Sequence, residues 1–210
     1  YDDVVEVPAS ELRAWRESGF DEKAFLGDIG LTRSQGEAGR SVLERVWSRP
    51  TCDINGIWGG YTGEGSKTVI PSHASAKLSC RLVPDQDPEK VVAAVERFFR
   101  ERLPADCRLD FIDHGRGRPV RVATDSPWLQ AARQGIQDVF GKPPALIGCG
   151  GSIPITAPLR EILGLDVLFV GFGLDDDRVH SPNEKFDLVC YEKGIRTHAA
   201  MLGRFAEMAR

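Results

Sequence analysis

Between residues 75 and 82, apolar Ala76, Leu78, Cys80 and Leu82 alternate with polar Ser75, Lys77, Ser79 and Arg81. A period of two marks a strand whose faces differ in polarity. The segment is expected in an antiparallel sheet with one side covered, with Lys77 and Arg81 on the polar side. Asp87-Pro88-Glu89 then predicts a helix start, with Asp at the N-cap and Pro in the first turn. Val91, Val95, Phe98 and Phe99 supply its apolar stripe, and Pro104 stops it. Cys107, Leu109 and Phe111 predict a further strand ending near His114. Strand, helix and strand in this order read as an α+β layer.

Residues up to about 50 read as short helices. Ser10 and Asp21 are N-cap candidates, and Ser41-x-x-Glu44 fits a capping box ahead of Val46 and Trp47. Five glycines between positions 56 and 65 argue against a regular strand or helix interior. No Gly-Lys-Ser/Thr closes that passage, so it is not a phosphate loop. It reads either as a bent strand edge and turn or as a functional or interface loop.

After Gly115-Arg116-Gly117-Arg118-Pro119 the pattern changes. Ser126-Pro127 predicts a helix to Phe140, closed by Gly141. A short strand at 145–147 is expected to lead into Gly148-Cys149-Gly150-Gly151-Ser152, with a helix from Ile153. Asp166-Val167-Leu168-Phe169-Val170 is a continuous apolar run of the kind found in a strand buried on both faces of a parallel sheet. A polar loop with His180 follows, then a closing helix over about 191–208. The second half therefore reads as α/β. The expected division is residues 1–118 and 119–210, and there is no internal repeat or low-complexity tract.

Charge and cysteines narrow the classes. Twenty-seven basic and 31 acidic residues leave a net charge of −4, with no Lys/Arg block. That argues against a nucleic-acid or anionic-membrane surface. The longest apolar run is far too short to span a bilayer. The five cysteines (Cys52, Cys80, Cys107, Cys149, Cys190) are odd in number and widely spaced. They read as reduced, packed thiols of a cytoplasmic protein.

Four places carry candidate chemistry. The Gly148–Ser152 turn, at an expected strand-to-helix junction, offers backbone N–H groups and a helix dipole to an anion; Ser152 reads equally well as a structural N-cap. His180 lies in a loop expected to leave the carboxyl end of a buried strand, where open α/β folds place ligands. The two loops would then converge. The adjacent Asp175-Asp176-Asp177 run reads as a solvated turn, since it lacks calcium-loop spacing. Arg81 has the planar paired donors suited to a carboxylate, or it forms a surface ion pair. His114 is a further candidate, or a strand-end polar residue. An imidazole in a polar loop suits zinc, but a catalytic zinc needs three or more protein ligands. The sequence has no His-Glu-x-x-His, no Cys-x-x-Cys and no Gly-x-Ser-x-Gly.

Together these segments resemble the di-zinc exopeptidase family that includes carnosinase, cytosolic non-specific dipeptidase and acetylornithine deacetylase, with the greatest likeness to its dipeptidase branch. The matching motifs are Gly56-Ile57-Trp58-Gly59-Gly60-Tyr61-Thr62-Gly63-Glu64-Gly65, Lys67-Thr68-Val69-Ile70-Pro71, Ser79-Cys80-Arg81-Leu82-Val83-Pro84, Gly150-Gly151-Ser152-Ile153-Pro154 and His180-Ser181-Pro182-Asn183-Glu184-Lys185. Each is weak or moderate alone, but the ordered set is specific. Many relatives carry an acidic residue where Cys149 stands, which puts the local substrate contacts in doubt.

The resemblance implies an incomplete ferredoxin-like α+β lid over 1–118, which also forms a homodimer. It implies the C-terminal part of an α/β zinc-peptidase catalytic domain over 119–210. His180 becomes the last zinc ligand, and Thr68, Arg81, His114, Gly151 and Ser152 become substrate contacts, with Thr68 and His114 reaching the other subunit's site. Two zincs, a small peptide substrate and a cytoplasmic setting are implied, with no nucleic-acid or membrane partner. No catalytic base is expected in this chain: it starts at Tyr1 and reads as the C-terminal part of a larger enzyme, inactive by itself. The alternatives are an N-acyl amino-acid deacylase on the same scaffold and a non-catalytic dimerisation or binding module.

Overall fold

Local capping sets the first three helices. α1 (Ala9–Arg16) starts one residue ahead of the expected Ser10 cap, with Pro8 at the N-cap. The Pro8 carbonyl accepts the Leu12 N–H at 3.1 Å, which leaves Ser10 inside the first turn. α2 (Glu22–Asp28) is capped by the Asp21 carboxylate, which accepts the Ala24 N–H at 3.0 Å. α3 (Val42–Ser48) carries the expected capping box: the Glu44 N–H donates to Ser41 Oγ at 3.3 Å and the Ser41 N–H to Glu44 Oε2 at 2.9 Å. Arg40 and Arg49 flank this helix. Arg40 holds Glu6 with two contacts of 2.5 and 2.7 Å, and Arg49 holds Glu37 with two of 2.6 and 2.8 Å. These paired contacts tie the N-terminal segment to α3, and Trp15 meets Trp47 edge to face at 5.2 Å.

The computed structural model describes residues 1–151, 153–165 and 167–208. The chain divides into two compact units, Tyr1–Val120 with Ile147–Ala157 and Arg121–Leu146 with Pro158–Arg210.

In the first unit, β1 (Thr51–Gly59) pairs antiparallel with β2 (Ala74–Arg81). The strand extends into the glycine-rich passage as far as Gly59, in keeping with the reading of a bent strand edge and turn. A bulge makes that possible. Ile54 faces Leu78 and Gly56 faces Lys77, which leaves Asn55 as the extra residue. The bulge brings Ile57, three residues beyond Ile54, back onto the same face. Cys52, Ile54 and Ile57 therefore stand opposite Cys80, Leu78 and Ala76. The expected cover over that apolar face is not found: Ile54 is 65% and Ile57 76% exposed. Cys80 is half-buried, and Cys107, expected as a packed thiol, is exposed.

α4 (Pro88–Glu101) follows the Asp87-Pro88 signal, with Asp87 accepting the Glu89 N–H at 2.9 Å. Its half-buried stripe is Val91, Val95 and Phe99, spaced by four. Phe98 is exposed, one helical step off that line, with the Arg102 guanidinium 3.8 Å above its ring. The expected strand at 107–114 forms no ladder with any described residue. Leu109 and Phe111 are half-buried between exposed neighbours, so the alternation persists. Alternation alone does not supply a partner's N–H and C=O groups.

Among the described residues of the second unit the regular elements are all helices, joined by irregular backbone. α5 (Pro127–Phe140) has Ser126 at its N-cap and ends at Gly141, whose φ of 73° closes the helix with an N–H bond to the Gln137 carbonyl at 2.8 Å. α6 (Thr156–Leu163) enters from the first unit and starts later than Ile153. α7 (Leu188–Met208) starts earlier than expected. α5 and α7 run antiparallel: Trp128 meets Phe205 at 5.5 Å, while a Cβ on Gly135 would lie 3.0 Å from Met201 Cγ. Arg204 bonds Asp138 and Gln134 across the same seam. Residues 145–147 and 167–170 form no ladder among the described residues, and Phe169 is half exposed. An apolar run specifies a parallel strand only when flanking strands accept its hydrogen bonds.

Candidate functional site

Arg81 closes β2 opposite Thr51, on the sheet face that also carries Trp58 and Lys77. Lys77 Nζ lies 5.8 Å from the Trp58 ring centroid, so the polar face is also cationic and aromatic. The β1–β2 connection carries Thr68, exposed in irregular backbone. Just before it, Tyr61 donates its hydroxyl to the Glu64 carbonyl at 3.3 Å and lies under Lys67 Nζ at 5.6 Å. His114 is exposed outside any helix or ladder. Thr68, Arg81, His114 and Gly151 all fall in the first unit, and His180 falls in the second.

The glycine-rich turn has a packing reason that sequence reasoning missed. A Cβ on Gly148 would lie 2.5 Å from Trp47 Cβ and 2.6 Å from the Trp47 carbonyl oxygen, and one on Gly150 would lie 2.9 Å from the Val46 carbonyl oxygen. These glycines let the turn press against the last turn of α3. The Gly151 N–H points to Cys149 Sγ at 3.3 Å, so the thiol takes up a donor that the sequence assigned to an anion. Ser152 lies outside the described residues.

Around His180 the loop is built on a buried carboxylate. Asp175 and Asp176 are exposed, as a solvated acidic turn requires, but Asp177 is only 2% exposed. Its side chain accepts the Leu174 N–H at 2.7 Å and Lys185 Nζ at 2.7 Å, and its carbonyl accepts the Lys185 N–H at 3.0 Å. Lys185 also reaches Asp176 at 2.9 Å. Asp177 therefore ties both ends of the loop together, with His180 exposed at its turn. Arg178, His180 and Asn183 have φ values of 55°, 61° and 61°, three non-glycine residues in the left-handed region within six positions. Backbone of this kind persists where its surroundings hold it and recurs at functional loops. A polar run bounded by Leu174 and a later lysine was the one sequence signal for this hub.

The Lys185 ammonium and the Leu174 N–H hold the Asp177 carboxyl below its ordinary value, and the carboxylates raise Lys185. A carboxyl depressed by folding stabilises the fold in full above its unfolded value, near 3.9, and the stabilisation disappears as pH falls through the lower folded value. The His180 loop should therefore stay closed at neutral pH and open on acidification below about pH 4. Exchange of the Leu174 amide, corrected for intrinsic chemistry, should accelerate there. It should lose that pH dependence in Asp177→Asn. An amide equally protected at pH 6 and pH 3 would show that Asp177 does not hold the loop.

Among the described residues, no group of three or more His, Cys, Asp and Glu side chains is placed to hold a metal. With Asp177 committed to Lys185, His180 by itself does not make a metal centre. No helix among the described residues is long and apolar enough to cross a membrane.

Residues 10–107 match the M20 peptidase dimerisation domain. The Cys-Gly metallodipeptidase DUG1 of Saccharomyces cerevisiae is 30% identical over 97% of this chain and 43% of its own length. The human Beta-Ala-His dipeptidase is 29% identical over 100% of this chain and 41% of its own length. Among solved structures, the M20 family metallo-carboxypeptidase Sso-CP2 from Sulfolobus solfataricus superposes with a TM-score of 0.82 at 30% identity, covering 96% of this chain and 46% of that one. The chain thus spans less than half the length of the relatives it matches. It belongs to the M20 peptidase family.

Proposed function

We propose that these 210 residues are the C-terminal portion of a zinc-dependent dipeptidase that hydrolyses dipeptides or similar aminoacyl amides with a free C-terminal carboxylate. The observation that carries this reading is near-complete coverage of the chain, at about 30% identity, by relatives named as metallodipeptidases. Residues 1–118 serve as a ferredoxin-like lid and homodimer contact; the dimerisation-domain match over 10–107 supports this. Residues 119–210 complete the catalytic domain, and the protein is cytoplasmic.

In this reading His180 supplies one ligand, and the remaining ligands and the catalytic base lie outside these 210 residues. Zinc held there would supply an activated water and a polarised carbonyl. Arg81 holds the substrate carboxylate through charge-assisted hydrogen bonds. Gly151 and Ser152 position the substrate, and Thr68 and His114 reach the partner subunit's site. Asp177 and Lys185 set the backbone from which His180 projects.

The test pairs two proteins. The longer protein should cleave dipeptides in preference to N-acyl amino acids. The 210-residue chain alone should show no turnover and bind zinc weakly, because one imidazole cannot close a site. Cleavage of acyl amino acids without dipeptides would replace the reading by a deacylase. Tight stoichiometric zinc in the 210-residue chain would show that its ligand set is complete within it.

A further inference from the structure

Cys52 and Cys80 stand directly opposite each other in the β1–β2 ladder. The register is unbroken on both sides of them, from Thr51 opposite Arg81 to Ile54 opposite Leu78, and the bulge lies beyond. Directly opposed residues of an antiparallel pair project from the same face, with Cα atoms about 4.5–5.5 Å apart. A disulfide closes over Cα separations of about 4.4–6.8 Å, so the backbone need not move. Cys52 is exposed and Cys80 is half-buried. Burial, and then a hydrogen bond to the Cys52 sulfur, push the Cys80 thiol up to about 11. Cys107, Cys149 and Cys190 lie outside β1 and β2 and have no such opposite number in the ladder.

We infer that Cys52 and Cys80 form a reversible redox site, closed by peroxide to a cross-strand disulfide and reopened by thiols. Cys52, the exposed sulfur, attacks the peroxide as its thiolate. The O–O bond breaks, a sulfenic acid forms on Cys52, and one water leaves. Cys80 then attacks the Cys52 sulfur, its proton going to the departing hydroxide as a second water. Two thiols and one hydrogen peroxide become one disulfide and two waters, with both electrons passing to the peroxide oxygens. The elevated pKa of Cys80 slows the second step at neutral pH, and that step quickens as pH rises. The closed bond encircles residues 53–79, including the glycine-rich passage and Thr68. It also fixes the register of the β2 end that carries Arg81.

The folded 210-residue chain is treated with hydrogen peroxide at pH 8, its remaining thiols are alkylated, and it is digested with trypsin without reduction. The expected product is peptide 46–67 joined to peptide 78–81, with Cys107, Cys149 and Cys190 alkylated and the titratable thiols down from the five of the untreated chain. Thiol treatment should restore them. Recovery of Cys52 and Cys80 unlinked, or of either joined to another cysteine, overturns the proposal. A second measurement isolates the resolving role of Cys80. In Cys80→Ser the Cys52 sulfenic acid has no partner, so dimedone labelling at Cys52 should rise several-fold over the unmodified chain. Equal labelling in the two would show that Cys80 does not resolve the sulfenic acid, and the proposal would fail.

Discussion

His180→Ala in the longer peptidase should lower kcat/KM by at least about a hundredfold and reduce its bound zinc, with the fold kept. Replacing groups that only support a metal ligand costs roughly 10–100-fold, so removing a ligand should cost no less. The geometry separates the imidazole from the loop that presents it. Asp177 closes that loop through Leu174 and Lys185, and none of those bonds involves the His180 side chain. Any residue with a Cβ at a φ of 61° carries backbone strain of about 1–2 kcal/mol, histidine and alanine alike. His180→Asn is the control, because asparagine tolerates the left-handed region while removing the imidazole. Both variants should lose activity to a similar extent. Near-normal turnover with full zinc content in either would reduce His180 to an ordinary loop residue.

The features legible in the sequence were those decided within one turn of backbone. Asp21, the Ser41–Glu44 pair, Asp87-Pro88 and Gly141 each cap a helix where composition placed them, because a cap needs only its own neighbours. Ser10 failed for a reason of the same range: Pro8, two residues earlier, already opens the helix. Features that need a distant partner were not legible. The Asn55 bulge, and with it the alignment of Cys52 with Cys80, exists only once β1 has met β2. Gly148 and Gly150 make room for Trp47 and Val46, about a hundred residues earlier, a packing role that no local pattern contains.

The strands expected at 107–114 and 167–170 show the same divide from the other side. Their patterns state which residues suit a sheet, but a strand is completed by neighbours that local pattern does not contain. The His180 loop combines both cases. The histidine and its polar surroundings were visible, while Asp177 looked like one of three solvated carboxylates. Only the fold distinguishes Asp177, by bringing Lys185 and the Leu174 N–H onto it.

Arg81→Ala in the longer peptidase should act mainly on substrates with a free C-terminal carboxylate. Arg81 lies on the polar face of β2, at the strand end opposite Thr51. The ladder fixes its backbone, so truncating the side chain leaves the sheet register in place. Losing a charge-assisted hydrogen bond costs roughly 1.5–3 kcal/mol, or about ten- to a hundredfold in kcat/KM. Lysine should rescue only part of this, because an ammonium cannot make the two parallel contacts of a guanidinium. A dipeptide amide offers no carboxylate and should be much less sensitive to the change. A difference between acid and amide substrates in Arg81→Ala therefore reports the carboxylate contact itself. Equal losses on the two would mean that Arg81 supports the lid or the dimer instead, and the carboxylate role would be wrong.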